Sequence, residues 1–294
     1  MQRDLDHIVI GVRDLDAAAS AWMSLGFTVA PTARHPFGTE NRIIQLQGSF
    51  IELISVADET VIPKEAVSGG AFSFPAFVRN ALKQREGPTM VVVRGEGPEK
   101  DRAAFAAARL PLFEPFAFGR KARGPDGVER EVSFDLTFTQ DETTPEIGFF
   151  ACHNRFPENF WKEAYQSHAN GMTSLVELVL VSLTPQSNVA FLERLLGEER
   201  VEIKDCGECI GSRVGRVSVL SPKVFADHFG KYPQAIREDC DAFIGALVFA
   251  GGAGIAITQE AESWLGCRSE ALLTRVEPVE VMGTLVVLMP DATA

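Results

Sequence analysis

Two ionisable side chains lie inside apolar segments near the start of the sequence. His7 lies in LDHIVIG and Glu52 in SFIELISV, and the β-branched and aromatic residues of both segments predict strands. Side chains alternate between the faces of a strand, so His7 should share a face with Leu5 and Val9, and Glu52 with Phe50. A buried imidazole or carboxylate needs a partner, because leaving it unsatisfied costs about 1 to 3 kcal/mol. The two residues therefore mark a candidate site.

Two interpretations of this pair are open from the residues alone. An imidazole and a carboxylate on adjacent strands can bind one divalent metal ion, or they can form a buried ion pair. A single histidine on an apolar face is more often a satisfied core residue than a ligand. The spacing by itself slightly favours a structural pair.

The elements that would position these residues recur along the chain. After the first strand, a helix begins near Asp14 or Asp16 and ends at Gly26, and three strands follow in FTVAP, NRIIQLQ and SFIELISV. The same βαβββ order recurs from TMVVVRG to EIGFFACH, again from LVELVLVSL, and more weakly from DAFIGALVFAGG to TLVVLMP. This pattern predicts an α+β fold of tandem βαβββ modules.

Two modules per domain would cover both faces of each sheet, which predicts two domains. The first spans residues 1–160 and carries the candidate site. A linker follows, with a short helix behind Pro157 and a turn at Asn170–Gly171. The second domain spans residues 172–294. It is expected to be a degenerate pair, because Glu177 falls where His7 falls in module one, while Val286 and Val287 fall where a second carboxylate would be needed.

Composition narrows the classes of partner. The chain has 294 residues, a net charge of −12 and a pI near 5.0, which argues against a nucleic-acid footprint and favours a small-molecule partner. No apolar run reaches membrane-spanning length, and the sequence enters its first strand without an apolar leader, so we expect no membrane partner and a cytoplasmic location. Exposed edge strands are compatible with a homodimer.

The cysteines do not form a recognisable framework. Five are scattered along the chain, which suits a reducing compartment. Cys206 and Cys209 form a single CxxC, and a zinc ribbon needs a second such pair. We therefore predict no zinc at this motif.

Several segments resemble the vicinal oxygen chelate superfamily in its glyoxalase-like branch: LDHIVIGVRDLDAAASAW, HPFGTEN, FIELI, CHNRFPENFW and HANG. That superfamily is built from paired βαβββ modules whose curved sheets form a metal-binding cup, and it includes glyoxalase I, extradiol dioxygenases, epimerases and resistance proteins. The resemblance implies that His7 and Glu52, on the first and fourth strands of module one, are metal ligands. In module two the matching positions fall near Met90 or Val91 and at 149–151, where no side chain binds a hard or borderline metal.

Other residues are candidates around this implied cup. A catalytic metal usually has about three protein ligands, so His153, just past the last strand of module two, is predicted as the third, with a surface or capping histidine as the alternative. His35 and Asn41 bracket the loop PFGTE and are predicted to contact substrate, with turn chemistry as the alternative. Phe150 and Trp161 are predicted to wall the substrate pocket, with core packing as the alternative.

The function that follows is a metal-dependent enzyme of isomerase, lyase or dioxygenase type acting on a small oxygenated substrate. The cofactor would be a divalent ion such as zinc, iron, manganese or nickel, with Glu52 able to leave the ion and act as a base. The alternative is a metal-free protein of the resistance type that binds or sequesters a small molecule. The apolar module-two positions favour this alternative.

Overall fold

The computed structural model describes residues 2–197, 200–203, 207–212, 215–230, 241–251 and 279–289. Module one consists of β1 (Leu5–Gly11), α1 (Leu15–Ser24), β2 (Ala33–Arg34), β3 (Thr39–Gln45) and β4 (Phe50–Val56). Module two consists of β7 (Gly87–Arg94), α3 (Pro98–Ala107), β8 (Phe116–Arg123), β9 (Glu129–Thr139) and β10 (Gly148–Asn154). Between them lie a small hairpin, β5 (Val67–Ser68) and β6 (Ala71–Phe72), and the helix α2 (Phe74–Gln84).

These two modules form one sheet of eight strands in the order β2-β3-β4-β1-β7-β10-β9-β8. Within each module the first strand pairs parallel with the fourth, as β1 does with β4 and β7 with β10. The modules join where β1 and β7 pair antiparallel. The predicted α+β fold of paired βαβββ modules is therefore confirmed.

The pairing of β1 with β7 contains a β-bulge at Asp6. Leu5 pairs with Val93 and His7 pairs with Val92, so Asp6 is an extra residue in β1. A bulge shifts the alternation of side chains by one position. Leu5 consequently packs on the opposite face from His7, and the prediction that these two residues share a face is wrong.

The predicted second strand is also displaced. Residues 27–31 form no strand, and β2 is the two-residue segment after Pro31. The N–H of Phe27 donates to the carbonyl of Trp22 at the end of α1, and the N–H of Thr28 donates to His168 Nδ1 in the linker. The backbone of this segment is therefore committed to other partners.

Two helices lie where the sequence pattern predicts none. Ser73 caps α2 by accepting a hydrogen bond from the N–H of Ala76, and Pro75 lies in its first turn. The second unpredicted helix, α6 (Pro222–Phe229), begins like α2: Ser221 caps it and Pro222 lies in its first turn.

The linker holds the predicted short helix, α4 (Pro157–Phe160), with Pro157 at its start.

The remaining strands form a second sheet in the order β12-β13-β14-β11-β15-β17-β16. Module three contributes β11 (Met172–Ser182), α5 (Pro185–Leu196), β12 (Arg200–Ile203), β13 (Gly207–Ser212) and β14 (Gly215–Leu220). The described part of the fourth module contributes β15 (Ala242–Gly251), β16 (Val279–Val281) and β17 (Thr284–Met289). Its predicted helix around 260–266 lies outside the described residues, as does Cys206 of the CxxC motif.

One apolar cluster lies between the two sheets and joins them. Trp22 of α1 packs edge-on against Phe249 of β15 with ring centroids 5.9 Å apart, and Phe149 of β10 contacts Phe191 of α5 at 4.8 Å. The two halves share this core, so the boundary between two independent domains stays a prediction. None of the described helices has the length and apolar character needed to cross a membrane.

Replacing Trp22 tests whether this shared core stabilises the chain. Trp22 has 0% exposure, so Trp22→Ala should lower the free energy of unfolding by about 3 to 5 kcal/mol in denaturant titrations. Met23→Ala is the matched control, because the neighbouring Met23 is 49% exposed and its truncation should change the same quantity by less than about 0.5 kcal/mol. Equal effects of the two changes would contradict this description of the core.

Candidate active site

The face of the first sheet that carries His7 encloses a cavity of about 40 Å³. Its polar lining comes from six side chains: His7, His35, Asn41, Glu52, Arg120 and Cys152. The rest of the wall is apolar: Ile43, Phe50, Phe74, Phe118, Phe134, Leu136, Phe150 and Phe160. Polar groups that converge inside an apolar wall are typical of small-molecule sites. The cavity holds one or two waters or a similarly small group, since a water takes about 30 Å³.

His7 is oriented from both sides of its ring. Nδ1 donates to Asp6 Oδ2 at 2.8 Å, and the β-bulge is what brings this neighbouring carboxylate within reach. The ring stacks on Phe50 with centroids 4.1 Å apart. Nε2 then points at Glu52 Oε2 across 3.7 Å, which is too long for a hydrogen bond. The strands therefore bring the two predicted residues together without a direct bond between them.

Asn41 holds the other oxygen of Glu52. Its Nδ2 donates to Glu52 Oε1 at 2.5 Å and lies 3.2 Å from His35 Nε2. Because Asn41 Nδ2 can only donate, His35 Nε2 is the acceptor nitrogen, and Nδ1 carries the proton 2.8 Å from Thr39 Oγ1. The Oδ1 atom of Asn41 is buried and has no hydrogen-bond partner among the described residues. The HPFGTEN segment thus places Asn41 in contact with the Glu52 carboxylate and His35 close behind it.

Burial makes His35 a neutral imidazole. Desolvation, with a further contribution from the charge of Arg120, lowers the pKa of His35 to about 3. Its Nε2 lies 3.9 Å from Glu52 Oε1. The Glu52 carboxylate is therefore flanked by two imidazole nitrogens, one near each oxygen.

The sequence analysis did not single out Arg120, which enters the cavity from β8. The exposure of β8 alternates along FAFGRKAR, and Arg120 shares its inward face with Phe116 and Phe118. A charged residue among aromatic residues at strand spacing is the same signal that marked His7, so it could have been found. Burial lowers the pKa of the guanidinium, while the charge of Glu52 acts in the opposite direction.

Met90 and Phe150 occupy in module two the positions that His7 and Glu52 occupy in module one. On β4, Glu52 lies two residues beyond the partner of His7, and on β10, Phe150 lies two residues beyond the partner of Met90. Both module-two residues are buried and apolar. The register therefore places apolar residues at these two positions, as the sequence predicted, and Phe150 lines the cavity.

Two predicted site residues lie elsewhere. His153 pairs with Asp135, 3.2 Å from Nδ1 to Oδ2, on the face of the sheet opposite the cavity, because its neighbour Cys152 is the residue of β10 that points inward. Trp161 packs behind Phe160 with ring centroids 5.1 Å apart and does not line the cavity. The structure therefore supports neither His153 as the third ligand nor Trp161 as a wall.

The family follows from comparison with known proteins. The model of the glyoxalase-like domain matches residues 5–196, which is more than half of the chain. The chain belongs to the glyoxalase-like domain family. A search of curated proteins found no significant match.

Solved structures share the fold of this glyoxalase-like chain at low sequence identity. A hypothetical protein from Staphylococcus aureus is 13% identical, with 97% of this chain and 98% of that chain covered and a TM-score of 0.66. A Mn(II)-bound glyoxalase from Novosphingobium aromaticivorans is 8% identical, with coverages of 99% and 83% and a TM-score of 0.51. A mutant 4-hydroxymandelate synthase from Streptomyces coelicolor is 10% identical, with coverages of 85% and 72% and a TM-score of 0.47. The family match confirms the predicted glyoxalase-like resemblance, and the first two of these structures share the fold.

Three residues of this glyoxalase-like site have side chains of the types that bind divalent metal ions. His7 Nε2, His35 Nε2 and the Glu52 carboxylate make a two-histidine, one-carboxylate set, which is suited to first-row divalent metals. The unpartnered Oδ1 of Asn41 is a further oxygen donor beside them. Among the described residues, the group whose donor atoms all lie within 4.8 Å of one another is Asp6, His7 and Cys152, and the donor atoms of His7, His35 and Glu52 are spread more widely. The set with Cys152 is chemically poorer, because His7 Nδ1 already binds Asp6, and burial raises the pKa of the Cys152 thiol well above its usual value.

The neutral His35 predicts a specific acid sensitivity in chelator-treated protein. Below about pH 6.5 the imidazole of the unfolded chain binds a proton that folded His35 does not bind until about pH 3, so stability is lost as the pH falls through this window. The loss from this residue is about 1.4 kcal/mol per pH unit. Between pH 6 and pH 4, His35→Gln should therefore lose less free energy of unfolding than the wild type. The control is His153→Gln, which removes a one-third-exposed imidazole and should keep the wild-type slope; identical slopes for both variants would contradict a buried neutral His35.

Proposed function

We propose that this protein is a metal-assisted enzyme in which His7, His35 and Glu52 hold a divalent ion and Glu52 exchanges a proton with a small oxygenated substrate. One observation carries the proposal: the buried Glu52 carboxylate lies between two imidazole nitrogens, at 3.7 and 3.9 Å, without a hydrogen bond to either. An ion bound there would supply Lewis-acid polarisation of the substrate oxygens.

The residues of the cavity give Glu52 the properties of a base. Asn41 binds Oε1, which leaves Oε2 as the oxygen that faces His7 and can accept a proton. Asp6 holds the His7 ring so that Nε2, and not Nδ1, faces the cavity. The rings of Phe50 and Phe150 pack against His7 and keep bulk water from this pair. A buried carboxylate with one uncommitted oxygen favours isomerase or lyase chemistry, in which a proton is moved, over dioxygenase chemistry.

The second candidate function is metal-free binding of a small molecule. Met90 and Phe150 at the module-two positions favour it, because neither can bind a divalent oxygen-seeking ion there. Arg120 also favours metal-free binding, since its positive charge compensates Glu52 where a metal ion would otherwise do so. The two candidates differ in whether the protein binds metal and whether it turns a substrate over.

The metal content of the protein distinguishes the metal-assisted enzyme from the metal-free binding protein. Elemental analysis of protein purified without chelator should find about one divalent ion per chain in the wild type and in His153→Gln, and none in His7→Gln or Glu52→Gln. In calorimetric titrations His35→Gln should bind the same ion at least about tenfold more weakly, which is the lower end of the losses seen even for outer-shell partners. A wild type that takes up no ion under any loading would refute the metal-assisted enzyme and favour the binding protein. Retained affinity in His35→Gln would remove His35 from the ligand set.

Proton exchange tests the role of Glu52. In D₂O, metal-loaded wild type should incorporate deuterium beside the carbonyl or hydroxyl carbon of at least one member of a panel of small oxygenated acids, followed by NMR. Glu52→Gln should slow this exchange by at least about a hundredfold, the usual contribution of a general base. Glu59→Gln, on an exposed turn, is the control and should exchange at the wild-type rate. Exchange that persists in Glu52→Gln would exclude Glu52 as the base.

A further inference from the structure

Arg120 is a partly buried cation without a bonded counter-ion among the described residues. Its Nε and Nη1 atoms are inaccessible to solvent and have no hydrogen-bond partner, and among the described residues no carboxylate oxygen lies within 4.0 Å of it. Leaving charged donors unsatisfied in the interior is more costly than leaving neutral ones. A side chain held in this way is arranged for an acceptor that arrives from outside the chain.

The position of Arg120 shows where that acceptor would come from. Arg120 lines the 40 Å³ cavity and also a larger groove of about 330 Å³ that opens beside it. Asn41, Ile43 and Phe160 also belong to both spaces, so the groove leads to the cavity at this point. A molecule in the groove would therefore meet Arg120 before it reached Glu52.

The groove carries positive charge on a negatively charged protein. Its ionisable lining consists of Arg34, Arg120, Lys121, Arg123 and Lys162 with the single acid Glu129 and the phenol of Tyr165. The chain as a whole has a net charge of −12. A local excess of cations against that background raises the local concentration of anions and excludes cations.

Not all of these cations are equally available. Arg34 pairs with Glu40 at 3.3 Å, and Arg123 pairs with Glu129 at 3.5 Å. Lys162 Nζ donates to the carbonyl of Glu158 at 2.8 Å. Lys121 is exposed to solvent. These observations leave Arg120, at the inner end of the groove, as the cation best placed to bind an anion directly.

We infer that the substrate is a small organic anion whose carboxylate or phosphate group binds Arg120, with a small oxygenated group in the cavity and the remainder in the basic groove. The sizes of the two spaces support this division, because 40 Å³ admits only a small group and 330 Å³ admits the bulk of a metabolite-sized molecule. A guanidinium is the side chain best suited to an oxyanion. The inference deepens the proposed function by giving its substrate class.

Anion binding is measured on the full chain in the presence of a chelator, so that it does not depend on metal. Titration calorimetry uses acetate and inorganic phosphate as probes, acetamide as the neutral analogue of acetate, and sodium chloride to match ionic strength. Wild type should bind acetate or phosphate and not acetamide. Arg120→Gln should bind the same probe at least fivefold more weakly. Lys100→Gln removes a positive charge from an exposed position on α3 and should bind like the wild type.

The outcomes distinguish a carboxylate substrate from a phosphorylated one, and they test the anion-binding inference separately from the proposed metal-assisted enzyme. Preferential binding of acetate identifies a carboxylate substrate, and preferential binding of phosphate identifies a phosphorylated one. Equal affinity in wild type and Arg120→Gln, or no response beyond that to chloride, overturns the inference. If Arg120→Gln does not fold, Arg120→Lys keeps the charge but loses the guanidinium fork, and unchanged affinity for both probes in that variant overturns the inference as well. If the wild type binds the anion but cannot bind metal, the proposed metal-assisted enzyme is contradicted and the anion-binding inference is unaffected.

Discussion

The antiparallel pairing of β1 with β7, and the bulge at Asp6 within it, is the constraint on which the site depends. The pairing joins the two modules into one sheet, and the extra residue turns His7 to the cavity while Leu5 stays in the core between the sheets. The same bulge places the Asp6 carboxylate on His7 Nδ1, where Arg94 of β7 lies 3.7 Å from its other oxygen. A regular strand would separate the side chains of residues 6 and 7 to opposite faces. The orientation of the imidazole is therefore a property of the backbone and not of the histidine alone.

A second constraint is the balance of charge inside the cavity. Glu52 is buried, and a buried carboxylate is tolerated only with hydrogen bonds and compensating charge. Asn41 supplies the hydrogen bond, and Arg120 supplies positive charge without contact. His35 remains neutral in these surroundings, and its Nε2 lies 3.2 Å from Asn41 Nδ2. The hydrogen bond from Asn41 and the charge of Arg120 thus compensate the burial of the Glu52 side chain.

The sequence alone was enough for the module order and for the pair that defines the site. Periodicity identified β1 and β4, and the apolar residues at the matching positions of module two were read directly from the sequence. The prediction for Leu5 failed because a bulge moved this residue to the other face. No local pattern encodes such a shift, because it is set by the partner strand. The prediction for His153 failed for another reason: β10 alternates regularly, so Cys152 points inward and His153 outward. Arg120 was within reach of the sequence, since it alternates with aromatic residues along β8.

The second sheet repeats the framework of the first without its chemistry. The β11–β15 pairing has a bulge at Val176, at the place of Asp6, and Leu175 packs between the sheets as Leu5 does. Glu177 then takes the place of His7, and the residue two beyond its partner on β14 is Ser218, which donates to Glu177 Oε1. The position comparable to Glu52 in module three is therefore Ser218 and not Val286 or Val287, which lie on β17. The bulge and the register recur in module three, but the histidine and the Glu52 carboxylate do not, since Glu177 and Ser218 take their positions. The backbone geometry is therefore independent of the side chains it positions. At these two positions, the residue types distinguish the first sheet from the second.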